Sequence, residues 1–284
     1  MSIKFLWAGP QTSTQDHGRS GFAHLGVPRG GALDKGAMQT ANWLVGNTDN
    51  QPVLEFVMAG PSLLFLAHTT IAITGADLSP KLDRQPLENN RSYRVKPGDN
   101  LHFGALTSGC RGYLAIAGSW RVPVLLGSAS GLRAGHNELL PEAVWQRGDI
   151  LQINTSQRQA WPKQTSPASS ISHIISVMPG PEFGQLSDTA REQLFKSEHV
   201  IDSRSNRMGL RLTRPIDAIA AAKQLSSGVT PGTVQLTTSG EPIILLADAQ
   251  TIGGYPRVLQ VVSTAMDNLA QLKPGDAIAL TLVE

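Results

Sequence analysis

Apolar residues in this chain gather in short stretches that alternate with polar ones or run on for the length of a strand. "LLFLA", "IAITG", "YLAIAG", "IISVMPG", "PIILLAD" and "RVLQVV" are the clearest of these, several closed by glycine or proline. That spacing predicts strands. Helical spacing is confined to three places. In "LDKGAMQTANWLVGN", Asp34 stands as an N-cap before Ala37, Met38, Ala41, Leu44 and Val45, and Gly46-Asn47 supplies the stop. A second helix is expected in "SDTAREQLFKS", and a third in "TAMDNLAQL", where Thr264 and Asp267 resemble a capping box.

One device recurs between these elements. "VKPGDNLHF" at 95–103 and "LKPGDAIAL" at 272–280 share Lys-Pro-Gly-Asp, with a weaker echo in "QRGDILQI" at 146–153. Proline presets the first φ of a type II turn and glycine accepts the positive second one, after which alternating apolar residues enter a strand. Between the copies, residues 154–172 hold few large apolar side chains and much Ser, Thr, Gln and Pro, as a linker does. The pattern predicts two β domains of related design, over residues 1–155 and 173–284.

Composition supports this and removes several function classes. With 28 glycines and 18 prolines in 284 residues, turns are frequent and long helices are not expected. A net charge of only +2 offers no basic stripe for nucleic acid. The single cysteine, Cys110, excludes an internal disulfide framework and suits a reducing compartment. No apolar run reaches the roughly 18 residues of a membrane helix, and no secretory leader is visible at the start, so a cytoplasmic protein that meets neither membrane nor nucleic acid is expected. No P-loop is present, and "GSASG" at 127–131 puts Ala129 where a nucleophile elbow needs serine. The seven histidines show no ligand spacing, so no metal is expected. No methionine is followed by lysine, so biotin is not carried on this chain.

The richest chemistry lies in "PIILLADAQTIGGYP", 242–256, where an apolar run turns abruptly polar. If the strand continues past Ala247, Asp248 and Gln250 point to one face and can serve one small ligand. Gly253 and Gly254 allow close backbone approach, while Pro256 holds Tyr255 extended. "SSGVTPGTVQL" offers Thr230, Thr233 and Gln235, and "SRSNRMGLRL" offers Asn206 and Arg207. Amides pair with a lactam or ureido ring in both senses, Asp248 accepts from an N–H, and Arg207 can fork onto a carboxylate. The alternative for each is structural: Asp248 ties up a turn, Gln250 and Thr251 cap strand ends, Gly253 and Gly254 form a bend, and Arg207 makes an ion pair.

The segments "SNRMGLRL", "SSGVTPGTVQL" and "GEPIILLADAQTIGGYPR", with "TQDHGRSGFAHLGVPRGGALDKGAMQTANWLVGN" and "VLEFVMAGPSLLF", resemble the family of the 5-oxoprolinase C subunit. That family is also described as biotin-dependent carboxyltransferase-like, as allophanate hydrolase subunit 2, or as a kinase-inhibitor antagonist. The resemblance implies a mainly β fold of two tandem cyclophilin-like β-barrel domains with a few short helices, the second carrying most of the site. It implies one component of an ATP-dependent 5-oxoprolinase, a hydrolase that opens 5-oxoproline to glutamate with its A and B subunits, the ATP belonging to the assembled complex. The alternatives it leaves open are carboxyl transfer to urea or a related amide from a separate biotin carrier, and a noncatalytic regulator that binds a kinase inhibitor resembling the B subunit.

On this reading Asp248, Gln250 and Arg207 are catalytic, and Asn206, Thr230, Gln235, Thr251, Gly253, Gly254, Tyr255 and Glu55 bind substrate. Glu55, set in "VLEFV", reads either as a paired core carboxylate or as a wall of the cleft. Asp34 is a helix cap, and Asp16 with Arg19 a turn-fixing pair. The chain departs from the family at Leu210, at Ile252 and in the loop 130–137.

Overall fold

The computed structural model describes residues 1–132, 144–154, 163–165, 170–217 and 225–283. Most of the linker and of the loop 130–137 lies outside them. The chain divides into two compact units: Met1–Arg19 with Gly30–Ser170, and Ser20–Arg29 with Ile171–Glu284. It is mainly β, with three short α-helices among the described residues.

In the first unit the strands are β1 (Ser2–Trp7), β2 (Ser13–Gln15), β3 (Val53–Val57), β4 (Ser62–Phe65), β5 (Thr69–Asp77) and β6 (Lys81–Leu82). After them come β7 (Gln85–Pro86), β8 (Arg91–Val95), β9 (Asn100–His102), β10 (Ser108–Ile116), β11 (Ser119–Arg121) and β12 (Ile150–Asn154). One sheet has the order β2-β3-β10-β5-β8, the other β11-β12-β1-β4-β9-β6-β7. Period-two alternation decides what each strand of the five-stranded sheet buries. Leu54, Phe56, Ile71, Ile73, Leu114 and Ile116 join Ile3, Phe5, Leu63 and Phe65 of the other sheet in one core. Their neighbours Val53, Ala72, Tyr113 and Ala115 pack instead on Met38, Ala41, Leu44 and Val45 of the helix α1 (Lys35–Val45). That helix begins as its sequence predicts. Asp34 accepts a hydrogen bond from the Ala37 N–H at 2.8 Å, and Gly46 closes the helix at φ 77°.

The second unit is built from β13 (Ile174–Pro179), α2 (Asp188–Phe195), β14 (His199–Val200), β15 (Gly209–Arg211), β16 (Ser227–Gly228) and β17 (Thr233–Leu236). It continues with β18 (Pro242–Leu245), β19 (Ile252–Gly253), β20 (Arg257–Val261), α3 (Met266–Ala270) and β21 (Ala277–Leu282). Its main sheet has the order β14-β21-β13-β20-β17-β18-β15, and β16 pairs with β19 apart from it. Ser187 caps α2, accepting from the Ala190 N–H at 3.1 Å. The third helix starts later than its sequence suggests: a 3-10 turn, Ser263–Ala265, precedes α3, and Ala265 takes the N-cap position without a side-chain cap. Thr264 is one residue too early to serve.

The repeated turn is the same object three times. Gly98, Gly148 and Gly275 have φ of 93°, 96° and 92°, and no atom lies within 4 Å of a Cβ built on any of them. Glycine is required there by the backbone conformation and not by crowding. Each turn closes with an aspartate N–H donating to the residue three earlier: Asp99 to Lys96, Asp149 to Gln146, Asp276 to Lys273. Each aspartate carboxylate accepts in return from that residue's backbone N–H, at 2.8–2.9 Å. The turns then clasp a neighbouring extended segment. Phe65, Phe5 and Ile201 each exchange two backbone hydrogen bonds with the glycine and aspartate of one turn.

Candidate functional site

Strand β18 ends at Leu245, although burial continues through Leu246, Ala247, Asp248 and Ala249. The chain turns there, with the Ala249 N–H donating to the Leu246 carbonyl at 3.1 Å. Asp248 and Gln250 therefore do not share a strand face, as a continued strand would have placed them, and they go to different partners.

Asp248 is buried against Arg207. Its two oxygens accept from Arg207 Nε at 2.8 Å and Nη2 at 2.9 Å, with only 3% of Asp248 and 9% of Arg207 exposed. The local fold sets this up, because β15 runs antiparallel to β18 and the Asp248 N–H donates to the Arg207 carbonyl at 3.1 Å. The Nε–Nη2 edge of the guanidinium, expected to fork onto a ligand carboxylate, thus holds a protein carboxylate.

Gln250 is exposed and reaches a second buried group. Its Nε2 donates to Gln235 Oε1 at 3.3 Å, and Gln235 Nε2 donates to the Tyr255 carbonyl at 3.2 Å. Gln235 is 2% exposed and sits at a register shift between β17 and β20. Gly253 covers it so closely that a Cβ there would lie 2.5 Å from Gln235 Nε2, so a side chain at this position would displace the Gln235 amide. The loop from Leu246 to Thr251 is therefore fastened at one end by a buried ion pair and at the other by an amide pair.

The remaining candidates divide clearly. Tyr255 and Thr230 are exposed beside this loop's strands; the Thr230 N–H donates to Thr233 Oγ1 at 3.2 Å, and the Thr251 carbonyl accepts from the Val229 N–H at 3.0 Å. Gly254 is exposed above Ser226 Oγ. Asn206 holds a turn, exchanging two backbone bonds with Gly209 and accepting the Met208 N–H on its side chain at 2.8 Å.

Glu55 belongs to the first unit. It is 1% exposed and accepts from the Tyr113 hydroxyl and the Leu33 N–H, both at 2.9 Å, while the Tyr113 oxygen accepts from the Asp34 N–H at 2.8 Å. Burial, reinforced by the Glu55 charge, pushes the Tyr113 hydroxyl well above its ordinary pKa, so it stays a donor.

Two arrangements escaped the sequence. Arg257 is gripped by Glu182 through Nε at 3.0 Å and Nη2 at 2.8 Å, and its Nη1 reaches the Gly228 carbonyl at 3.1 Å, bracing β16. The hydrogen bond from Arg257, against the opposing effect of burial, holds the Glu182 carboxyl below its ordinary pKa. In the first unit Asp16, 3% exposed, accepts from the Gly18 N–H at 2.7 Å and from Ser128 Oγ, Ser130 Oγ and the Ala129 N–H at 2.6 Å. Arg19 is buried beside it and donates to the Ser130 carbonyl. The signal was "GSASG" itself: two serines between glycines can fold around a carboxylate, but nothing local says whose. Among the described residues no group of three or more His, Cys, Asp or Glu could hold a metal, and no helix is long and apolar enough to cross a membrane.

Comparison with known proteins places the mainly β chain in a family. The family model for the carboxyltransferase domain, subdomain A and B, matches residues 25–282, and the chain belongs to that family. It is 36% identical over 278 residues to the C subunit of 5-oxoprolinase from Escherichia coli K12, covering 97% of this chain and 89% of that one. To urea amidolyase of Saccharomyces cerevisiae it is 32% identical over 300 residues, covering 98% of this chain and 16% of the relative. The crystal structure of TTHA0988 matches with a TM-score of 0.89 and 30% identity, over 99% of this chain and 55% of that one. That of Kluyveromyces lactis urea carboxylase matches with a TM-score of 0.90 and 29% identity, over the whole of this chain and 27% of that one. The chain thus spans about half of TTHA0988 and a smaller part of the urea enzymes.

Proposed function

We propose that this chain is one component of a cytoplasmic, ATP-dependent 5-oxoprolinase that opens 5-oxoproline to glutamate with its A and B subunits. The observation that carries the reading is the similarity to the 5-oxoprolinase C subunit over nearly the full length of both chains. The geometry of the second unit supports it. Gln250, Tyr255 and Thr230 are exposed around one loop, ready to contact a small lactam, while Asp248 and Arg207 lock that loop from beneath. A loop fixed at both ends before ligand arrives loses little freedom on binding.

Lactam hydrolysis needs activation, which ATP supplies in the assembled complex. The sequence has no phosphate-cradling P-loop, and the Nε–Nη2 edge of Arg207 faces Asp248. No step on this chain is routed through the nucleotide. Reconstitution with the A and B subunits tests the reading. Glutamate release should depend on this chain, and turnover that is the same with and without it would refute the assignment.

The family model and the urea amidolyase similarity favour a second reading, carboxyl transfer to urea or a related amide from a separate biotin carrier. Urea-dependent consumption of carboxybiotin, without ATP-coupled 5-oxoproline opening, would select it.

A further inference from the structure

Gln235 is committed to the protein and not to a ligand. It is 2% exposed, its N–H donates to the Tyr255 carbonyl, and its oxygen takes the Gln250 amide. That arrangement decides which way round the Gln250 amide sits. An amide N–H must face the Tyr255 carbonyl, so Gln235 Oε1 must face Gln250, and Gln250 must present its NH2 to that oxygen. The Gln250 carbonyl oxygen is then turned away from Gln235, on a side chain that is exposed.

We infer that Gln235 is a positioning residue that fixes Gln250 as a hydrogen-bond acceptor, so that the site recognises ligands bearing an N–H donor. This rests on the reading of the 246–251 loop as the binding site for a small lactam or amide. A ring N–H or a urea NH2 satisfies the Gln250 oxygen, whereas an N-alkylated ring leaves it facing a methyl group. Tyr255 reinforces the orientation, since its carbonyl is occupied by the Gln235 amide N–H. Gly253 is a condition of the same device, because any side chain there would displace the Gln235 amide.

The test is equilibrium binding of 5-oxoproline and its N-methyl derivative to the full chain, followed by calorimetry or ligand-observed NMR without ATP. The N–H lactam is expected to bind at least about tenfold more tightly than the N-methyl lactam, the factor that about 1.4 kcal/mol provides. Gln235→Met is expected to weaken the N–H lactam toward the N-methyl value while leaving the N-methyl lactam where it was. A loss that is equal for both ligands would mean a general structural defect and would overturn the positioning role. Equal affinities for the two lactams on the unaltered chain would overturn it without any variant. Failure of the unaltered chain to bind either lactam would overturn the site reading beneath it.

Discussion

Asp16 in the first unit and Asp248 in the second are both 3% exposed, yet their oxygens are satisfied by different means. Asp16 accepts from two hydroxyls and two backbone N–H groups, all electrically neutral. Asp248 accepts from a guanidinium that is nearly as buried as itself. A carboxylate wrapped by neutral donors organises the chain that supplies them, here residues 128–130 from more than 110 positions away. A carboxylate paired with a buried cation is held by, and holds, one partner. The first arrangement reads as scaffold. The second fastens one end of a loop whose other end presents Gln250.

The sharpest way to break this contrast is to remove Asp248. Asp248→Leu leaves the Arg207 guanidinium buried without its bidentate acceptor, and a loss of about 3–5 kcal/mol is expected in urea unfolding. The double variant Arg207→Met with Asp248→Leu should recover most of that loss, because a well-packed apolar pair of similar volume replaces both charges. Asp16 should give a smaller effect without such rescue. Asp16→Asn turns an amide donor toward one of four existing donors, which costs about 1–3 kcal/mol for the group left unsatisfied. Adding Ser128→Ala and Ser130→Ala cannot restore it, since the Gly18 and Ala129 N–H groups remain. Recovery in the first unit, or none in the second, would show that the two carboxylates do the same job.

The repeated turns supply a comparison in which the units should agree. Gly98→Ala and Gly275→Ala force an alanine to φ near +92° with open space around its Cβ, so each should cost about 1 kcal/mol and the two should match. A larger cost at Gly275 would mean that its turn carries strain that Gly98 does not.

How far these features were legible depends on how local their causes are. The Lys-Pro-Gly-Asp turns and the Asp34 cap each follow from a few adjacent residues, and sequence sufficed for both. The third helix is the local exception, where Thr264 had the right chemistry at the wrong position. Other features depend on distant partners. Asp16 meets residues 112 to 114 positions away, and Gln235 meets Gln250 in the loop beyond β18, 15 positions on. The end of β18 misled for another reason: hydrophobicity reports burial, and Leu246 and Ala247 are buried without being in a strand. The residue types at the candidate site were readable, but their division into buried struts and exposed contacts was not.

The smallest effect is expected from pH and compares the turns once more. Burial raises the carboxyl pKa of Asp99, but the hydrogen bonds and charge of Lys96 outweigh it and leave the group below its ordinary value. Asp276 is lowered in the same way by Lys273. The native form therefore releases these protons at lower pH than the unfolded chain does. The stabilisation is present above the unfolded carboxylate pKa near 4 and is lost as pH falls through the native values. Both ammonium groups reach solvent, at 69% and 43% side-chain exposure, so the contribution is screened and should fall below that of the glycines. Lys96→Gln and Lys273→Gln copy the third turn, where Gln146 stands in the lysine position and the backbone bonds to Asp149 persist. Each should lower stability slightly at neutral pH and flatten its decline between about pH 5 and 3. An unchanged acid profile in both would show that backbone hydrogen bonds alone hold these turns, and a change in only one would locate a real difference between the two units.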